Sequence, residues 1–157
     1  MEKVEQLMSM YPDVNYVFDK FMPKGQKGLY IDNHIYLNPN QNKHELNSTV
    51  AEELGHYLTT VGDITMQRNN EERKQERRAR DLGATLLVTP SSIIDCFNEG
   101  CQTTLQCADF LEVTEETFLD AIKYYARRFN GLKVEDNYTL IFNENGTLEV
   151  YKVFDNG

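Results

Sequence analysis

Two adjacent glutamates and a histidine, Glu52, Glu53 and His56, are the residue types that acid–base or metal-assisted chemistry requires. On a helix each residue advances by about 100° around the axis, so Glu52 and His56, four positions apart, lie almost in line. Glu53 falls between that line and the apolar face of the helix. A carboxylate at the edge of a core is partly desolvated and can face a bound ligand, which is where a general base would be placed.

The segment 49–58 predicts the helix that positions these side chains. Gly55 lies inside this helix, where glycine costs about 1 kcal/mol relative to alanine. Such a glycine indicates that another backbone passes close by, and we expect a flanking strand to be that backbone. The apolar face of the helix carries Val50, Leu54, Tyr57, Leu58 and Val61.

The sequence E-E-L-G-H at positions 52–56 differs by one residue from H-E-x-x-H, the zinc-peptidase motif in which two histidines bind the metal and the glutamate activates its water. Together with the segments 57–63, 76–79 and 86–90, this motif resembles the ImmA/IrrE family of metallo-endopeptidases, which phages and mobile elements often carry. The resemblance covers nearly the whole chain. It implies that His56 is a metal ligand, that Glu53 is the general base and that Glu76 is the third ligand. Glu52 occupies the position of the first histidine of the motif.

A glutamate at position 52 changes the ligand set without removing a donor. Carboxylate oxygens bind Zn²⁺ at about 2.0–2.2 Å, and the spacing to His56 is retained, so Glu52 can serve as a ligand. One imidazole and two carboxylates make a weaker Lewis acid than two imidazoles and one carboxylate, and they favour harder ions such as Mn²⁺. We therefore expect Zn²⁺, with Mn²⁺ as the alternative. His34, on a predicted strand, is a better placed reserve ligand than His44, which lies roughly 18 Å before His56 on a continuous helix.

Simpler interpretations exist for the same carboxylates. Thr49 and Glu52 match a capping box, in which Glu52 would only bond the helix N-terminus. On the next helix, predicted over 71–87, Glu76 shares the small and apolar side and is expected to point inward, where it could also be a buried ion-pair partner. Glu72, one turn earlier, competes with it as third ligand. The basic residues of 73–80 are explained as a solvated face that pairs with glutamates.

Length, charge and cysteine usage limit the class of protein. A chain of 157 residues fits one domain, here with the sheet and metal-site helices in 1–89 and a helical region with a hairpin in 90–157. The net charge of −9 argues against nucleic acid as the main partner and favours a protein. We also expect a cytoplasmic location, because there is no apolar signal segment or membrane-spanning run. The three cysteines match no common zinc site, and small buried thiols are the expected explanation: Cys96, Cys101 and Cys107.

The remaining patterns predict an α+β, zincin-like fold. The segments 28–31 and 34–37 flank Asp32-Asn33 as a hairpin would, and with 14–18 they predict a small, mainly antiparallel sheet. We expect this sheet to pack on the active-site helix and to offer its exposed edge to an extended peptide. A possible cap at Asn42 begins that helix, and Ser91 or Ser92 is expected to cap a later one. Further helices are predicted over 2–10, 103–111 and 115–128, and a terminal hairpin over 138–154.

The expected function is that of a metal-dependent endopeptidase, and the resemblance implies a regulatory protein such as a phage or mobile-element repressor as its substrate. A metal-free relative that binds a regulator without cutting it is the first alternative, because of the change at position 52. A helix-turn-helix DNA-binding regulator is the second, because the segment 105–114 resembles the core of that motif. Against it, Glu115 and Glu116 open the helix that would enter the DNA groove, where they would repel the phosphates.

Overall fold

The structure, a computed structural model, describes residues 2–62 and 70–154. The chain divides into two compact units, Met1–Leu86 and Leu87–Gly157. The elements that begin in the first unit are α1 (Lys3–Met10), β1 (Asn15–Phe18), β2 (Gly28–Ile31), β3 (His34–Leu37), α2 (Lys43–Gly62) and α3 (Asn70–Leu87). The second unit contains α4 (Pro90–Asn98), α5 (Thr104–Phe110), α6 (Glu115–Arg128), β4 (Leu132–Glu135), β5 (Tyr138–Phe142) and β6 (Leu148–Lys152). This mixture of helices and small sheets confirms the predicted α+β class.

The first sheet has the strand order β1-β3-β2. Strands β2 and β3 are antiparallel, and the turn between them has φ values of 46° at Asp32 and 65° at Asn33. Two central residues at positive φ give the turn whose twist matches that of the flanking strands, so the predicted hairpin is confirmed. Strand β1 pairs with β3 in parallel. The sheet is therefore mixed, and β2 forms one of its edges.

The long helix α2 begins at a capping box. The backbone N–H of Glu45 donates to Asn42 Oδ1 at 2.9 Å, and the backbone N–H of Asn42 donates to Glu45 Oε1 at 3.2 Å. These two bonds satisfy N–H groups that have no partner inside a helix, and they confirm the predicted start. The inner face carries Val50 and Leu54, both fully buried.

Thr49 lies inside α2, six residues after its first residue. Its hydroxyl donates to Gln41 Oε1 at 2.8 Å. A residue in this position cannot cap the helix, because the helix N-terminus is already closed at Asn42, about two turns earlier. The capping-box interpretation of Glu52 is therefore wrong.

Helices α2 and α3 cross at two glycines. A Cβ built on Gly55 would collide with the carbonyl oxygen of Ala79 and stand 3.1 Å from the backbone nitrogen of Gly83. A Cβ built on Gly83 would stand 2.8 Å from the carbonyl carbon of Ala51. The backbone inferred from Gly55 is thus present, but it belongs to a helix. The expectation of a strand at this position is wrong, because the sheet meets α2 at a different glycine, Gly28.

One residue of the basic run on α3 pairs with a buried carboxylate on the same helix. Arg77 donates from Nε and Nη2 to Asp81 Oδ1 at 3.0 and 2.9 Å. The Asp81 carboxylate is buried, so the guanidinium supplies the partner that a buried charge requires. Arg77 itself is exposed, as predicted for a solvated basic face, and the i, i+4 partner seen here is an aspartate.

The helices of the second unit each begin at a threonine. Before α4, Thr89 Oγ1 accepts from the backbone N–H of Ser92 while Ser92 Oγ accepts from that of Thr89. The cap is therefore Thr89, and the prediction of Ser91 or Ser92 is wrong, because Ser92 is the second half of a capping box that opens three residues earlier. Thr103 and Thr114 cap α5 and α6, their side chains accepting from the backbone N–H groups of Gln106 and Thr117. The DNA-binding interpretation of α5 and α6 stays a prediction.

The second unit has a sheet of its own, with antiparallel strands in the order β4-β5-β6. The hairpin formed by β5 and β6 confirms the terminal hairpin predicted from the sequence. Strand β4 was not predicted, and its apolar residues Leu132 and Val134 are exposed. Among the helices of segments 2–62 and 70–154, none is both long and apolar enough to cross a membrane.

Candidate metal centre

A cleft of about 530 Å³ in the first unit contains the glutamates and the histidine that the sequence singled out. Helix α2, helix α3 and the segment that leads into and forms β2 supply its lining. The cleft is therefore assembled from elements that are distant in sequence. Its lining residues are Gly25, Gln26, Lys27, Gly28, Leu29, Tyr30, Thr49, Glu52, Glu53, His56 and Glu76.

Glu52, His56 and Glu76 direct donor atoms at one another. One carboxylate oxygen from each glutamate and one ring nitrogen of the histidine lie within 4.8 Å of one another. His56 Nε2 and Glu76 Oε2 lie 3.3 Å apart. The His56 and Glu76 side chains are 27% and 55% exposed, so the cluster opens onto the cleft.

The glycine crossing sets the distance between the donors on the two helices. Glu52 and His56 project from α2 one turn apart, and Gly55 immediately precedes the histidine. Glu76 precedes Ala79 by three residues on α3, and Ala79 is the residue whose carbonyl meets Gly55. A larger residue at the crossing would push Glu76 away from His56. Gly55 therefore allows the close approach of the two helices that carry the donors.

Glu53 lies beside the donor cluster and is partly buried. Burial, followed by the charges of Glu52 and Glu76, raises its pKa from 4.5 to about 8. Strand β2 approaches it closely, because a Cβ built on Gly28 would stand 3.1 Å from Glu53 Cγ and 2.6 Å from Thr49 Cγ2. The glycine at the start of β2 therefore allows the sheet to pack directly on this carboxyl group.

The donor set fits a divalent cation. Three carboxyl groups share a small volume with one imidazole, and like charges at such distances are unfavourable unless a cation or protons offset them. Carboxylate oxygens and an imidazole nitrogen are ligands for Zn²⁺, and the excess of oxygen also suits a harder ion such as Mn²⁺. With three protein donors, a bound ion would keep open coordination positions for water or substrate.

Three residues considered as alternative ligands do not join the cluster. Glu72 is exposed one turn before Glu76 and is not part of the donor group among the described residues. His44 is the second residue of α2, so the uninterrupted helix keeps it away from His56. His34 Nδ1 lies 2.7 Å from the carbonyl oxygen of Asp32, and it does not belong to the described lining of the cleft.

The expectation that Glu76 points inward is only partly correct. Its side chain faces the cleft and stays more than half exposed, whereas Ala79 on the same helix is fully buried. A helical wheel shows on which side of α3 the Glu76 side chain lies. It does not show whether that side faces an open cleft or a packed core.

The wall of the cleft that precedes β2 was not predicted from the sequence. No role at the site was predicted for Gln26, Lys27 or Gly28, although all three line the cleft. Lys27 also forms an ion pair with Glu45 at the start of α2. A glycine inside a strand pattern signals the close approach of another backbone, and Gly28 was the residue that could have shown this contact.

Comparison with known proteins gives one match. The model of peptidase family M78, described as the IrrE N-terminal-like domain, matches residues 10–123. That segment includes β2, α2 and α3, and hence every residue that lines the cleft. No curated protein and no solved structure matches the chain significantly.

Proposed function

Because this chain belongs to the IrrE N-terminal-like family of metallopeptidases, we propose that it is a metal-dependent endopeptidase that cleaves a regulatory protein. The observation that carries the proposal is the convergence of three metal-binding donors from two helices, next to a partly buried carboxyl group, in an open cleft. A phage or mobile-element repressor is the proposed substrate, and the cytoplasm is the proposed location.

Glu52, His56 and Glu76 are the proposed ligands, with Zn²⁺ as the expected ion and Mn²⁺ as the alternative. When bound, the ion would lower the pKa of a water molecule and polarise the scissile carbonyl group. Each ligand must reach the ion from its own backbone position. The two donors of α2 are fixed relative to each other by one helical turn, and Glu76 is fixed relative to them by the glycine crossing.

Glu53 is the proposed general base. One of its carboxylate oxygens would take a proton from the attacking water and deliver it to the nitrogen of the leaving amine. Its place between the ligands and the core keeps bulk water away from one side of the carboxyl group. The close contact with Gly28 restricts its movement, so that the carboxyl group stays aimed at the cleft.

Strand β2 is the proposed binding edge for the substrate. The backbone N–H of Asn38 donates to the carbonyl oxygen of Lys27 at 2.9 Å, so Lys27 faces β3. Successive residues of an antiparallel strand alternate in direction, and Gly28 and Tyr30 therefore direct their N–H and C=O groups to the outer edge. An extended peptide that pairs with this edge would lie along the cleft and beside the donor cluster.

Metal analysis tests the ligand set. Relative to the parent protein, we expect Glu52→Ala, His56→Ala and Glu76→Ala each to lose about one equivalent of Zn²⁺ or Mn²⁺ per chain, and Glu53→Gln to keep it. Glu72→Ala is the matched control, since it removes a glutamate one turn away on the same helix and should leave the metal content unchanged. A parent protein that takes up neither ion would overturn the proposal.

Cleavage of a peptide library tests the activity. The metal-loaded parent protein and Glu53→Gln would be incubated with the same library, and new N-termini would be identified by mass spectrometry. We expect new termini only with the parent protein. If both proteins bind metal and neither yields new termini, the endopeptidase proposal fails.

A protein that binds a regulator without cleaving it is the second candidate. The observation that favours it is Glu52, which stands where the zinc-peptidase motif has a histidine. This candidate predicts that the cleavage experiment yields no new N-termini. It also predicts that the parent protein and Glu53→Gln bind the same regulatory protein equally well.

A further inference from the structure

Three thiols converge in the second unit, although their spacing in sequence resembles no common metal site. The Sγ atoms of Cys96, Cys101 and Cys107 all lie within 4.8 Å of one another. None of the three is in a disulfide. Cys96 and Cys107 are buried and Cys101 is partly exposed, so the cluster has one thiol that solvent can reach. This arrangement goes beyond the expectation of separate, small buried thiols.

The end of α4 explains how the first two thiols meet. The backbone N–H of Cys101 donates to the carbonyl oxygen of Cys96, and that of Gly100 donates to Phe97, in the pattern of a Schellman motif. Gly100 has the positive φ, 88°, that this helix ending requires. In such a motif the residue after the glycine contacts the helix three to four residues before the end, and here both contact residues are cysteines.

Helix α5 supplies the third thiol from a fixed position. Its cap, Thr103, accepts from the backbone N–H of Gln106 at 3.1 Å. The Gln106 side chain in turn accepts from the backbone N–H of Gln102 at 2.7 Å, which closes the loop between the helices. The Cys96 thiol donates to the carbonyl oxygen of Cys107 at 3.8 Å, and the Cys101 thiol to that of Gln106 at 3.8 Å. The loop is therefore held at both ends with the three sulfur atoms facing one another.

Packing alone explains only part of this geometry. The Schellman motif explains why Cys96 lies next to Cys101, but it does not explain the position of Cys107. A disulfide would join only two of the thiols and would leave the third without a role. The three sulfur atoms lie within 4.8 Å of one another, and their residues also border a cavity of about 210 Å³ that has both polar and apolar lining residues. Gln102, Thr103 and Thr104 are among those polar lining residues.

We propose that Cys96, Cys101 and Cys107 form a second metal site, which binds one soft cation, Cu⁺ or Zn²⁺, through three thiolates. Sulfur ligands select these ions over hard cations. At the usual metal–sulfur distance of about 2.3 Å, three sulfurs around one ion lie about 4 Å apart, so the thiols need to move by less than about 1 Å. Binding releases the thiol protons to solvent, and no electron transfer is involved. Cu⁺ is satisfied by three sulfurs, whereas Zn²⁺ would add a water in the cavity.

The test is a titration of the full, reduced chain under anaerobic conditions with Cu⁺ supplied from a competing chelator, and separately with Cd²⁺ as a spectroscopic substitute for Zn²⁺. Thiolate-to-metal charge transfer in the ultraviolet is the readout, because carboxylates and imidazole do not produce it. We expect saturation at one equivalent per chain. His56→Ala should leave the band unchanged, which separates this site from the cleft in the first unit.

Cys101→Ser is the decisive variant, because this partly exposed loop residue can be changed without opening the core. The loss of a residue that only supports a metal ligand lowers metal affinity roughly 10–100-fold. Cys101→Ser removes a ligand itself, so its affinity for the metal ion should fall by more than that. Cys96→Ser and Cys107→Ser should also lose the band. Thr104→Ala, in the same cavity, is the matched control and should retain it, and circular dichroism checks that each variant is folded.

Two results would overturn the proposal. One is the absence of a charge-transfer band with either ion when the chain is reduced. This result would overturn the proposal even if mild oxidation of the same chain joined two of the thiols in a disulfide. The other is a band of equal strength and affinity in Cys101→Ser, which would mean that the three thiols do not act together.

Discussion

Glu52 is the residue at which this chain departs from the zinc-peptidase motif, and its replacement by histidine gives a direct test of its role. The change Glu52→His would supply the second imidazole while keeping the spacing to His56. We expect Zn²⁺ to bind more tightly, on the order of tenfold, and peptide cleavage to accelerate, because a neutral ligand leaves the ion a stronger Lewis acid. Competition with a zinc chelator and the cleavage rate measure the two effects. Unchanged zinc affinity would mean that the side chain at position 52 does not contact the ion.

Glu53 makes the stability of the metal-free protein depend on pH. Its pKa is 4.5 in the unfolded chain and about 8 in the folded protein, so the unfolded chain gives up this proton first as the pH rises. The contribution of the neutral carboxyl group is therefore complete below about pH 4.5 and is lost as the pH rises to about 8. We expect the melting temperature in the presence of chelator to fall over this window, and to fall less in Glu53→Gln.

That experiment compares the two proteins at pH 5 and pH 8. Because the glutamine side chain of the variant cannot ionise, the difference between the proteins isolates the carboxyl group from all other titrating residues. Equal pH dependence in both proteins would show that Glu53 is not desolvated as the structure indicates.

At the scale of elements, the crossing of α2 and α3 connects the packing of the fold to the metal site. Gly55→Ala would place a Cβ against the carbonyl of Ala79, and the helices would have to separate. We expect a loss of roughly 1–3 kcal/mol in the free energy of unfolding, the usual cost of overpacking. We also expect weaker metal binding, because Glu76 moves with α3.

Chemical denaturation and metal analysis of Gly55→Ala measure these two effects. Thr60→Ala is the control, since Thr60 lies on the same helix and is exposed. If Gly55→Ala is destabilised but binds the metal with parental affinity, the crossing does not set the distance between His56 and Glu76.

Most elements followed from local patterns in the sequence. The hairpin of β2 and β3, the start of α2 and the whole of α6 were predicted because turn residues, caps and apolar periodicity act over a few residues. What could not be predicted depends on contacts between distant segments. Gly55 indicated a close backbone but not which one, and nothing near Asp81 showed that this carboxylate would be buried against Arg77.

The candidate sites also combine features that follow from local sequence with features that depend on distant contacts. The line of Glu52 and His56 follows from helical geometry, whereas the choice of Glu76 over Glu72 needs the position of α3. The three thiols were set aside because their spacing matches no known site, and they meet only because the Schellman ending of α4 and the position of α5 bring them together. Sequence spacing therefore identifies sites within one element far better than sites at a junction of elements.

At the scale of the whole molecule, removal of the metal should lower stability. A ligand that binds only the folded state stabilises it by about 2.7 kcal/mol when its concentration is one hundred times its Kd. We expect the parent protein to melt at a lower temperature in chelator than in excess Zn²⁺, and His56→Ala to show a smaller difference. Calorimetry measures both. If the melting temperature of the parent protein does not change with zinc, the proposed metal site in the first unit is contradicted.

The strand order β1-β3-β2 also has a consequence for how the chain reaches this structure. The hairpin of β2 and β3 is local and needs only a two-residue turn, so its contacts can form in roughly 1–10 μs. Strand β1 must add to β3 in parallel, which requires closure of a longer loop over the hairpin. We therefore expect the edge that would receive a substrate to be among the earliest structure to form, and the opposite edge of the sheet to be completed late.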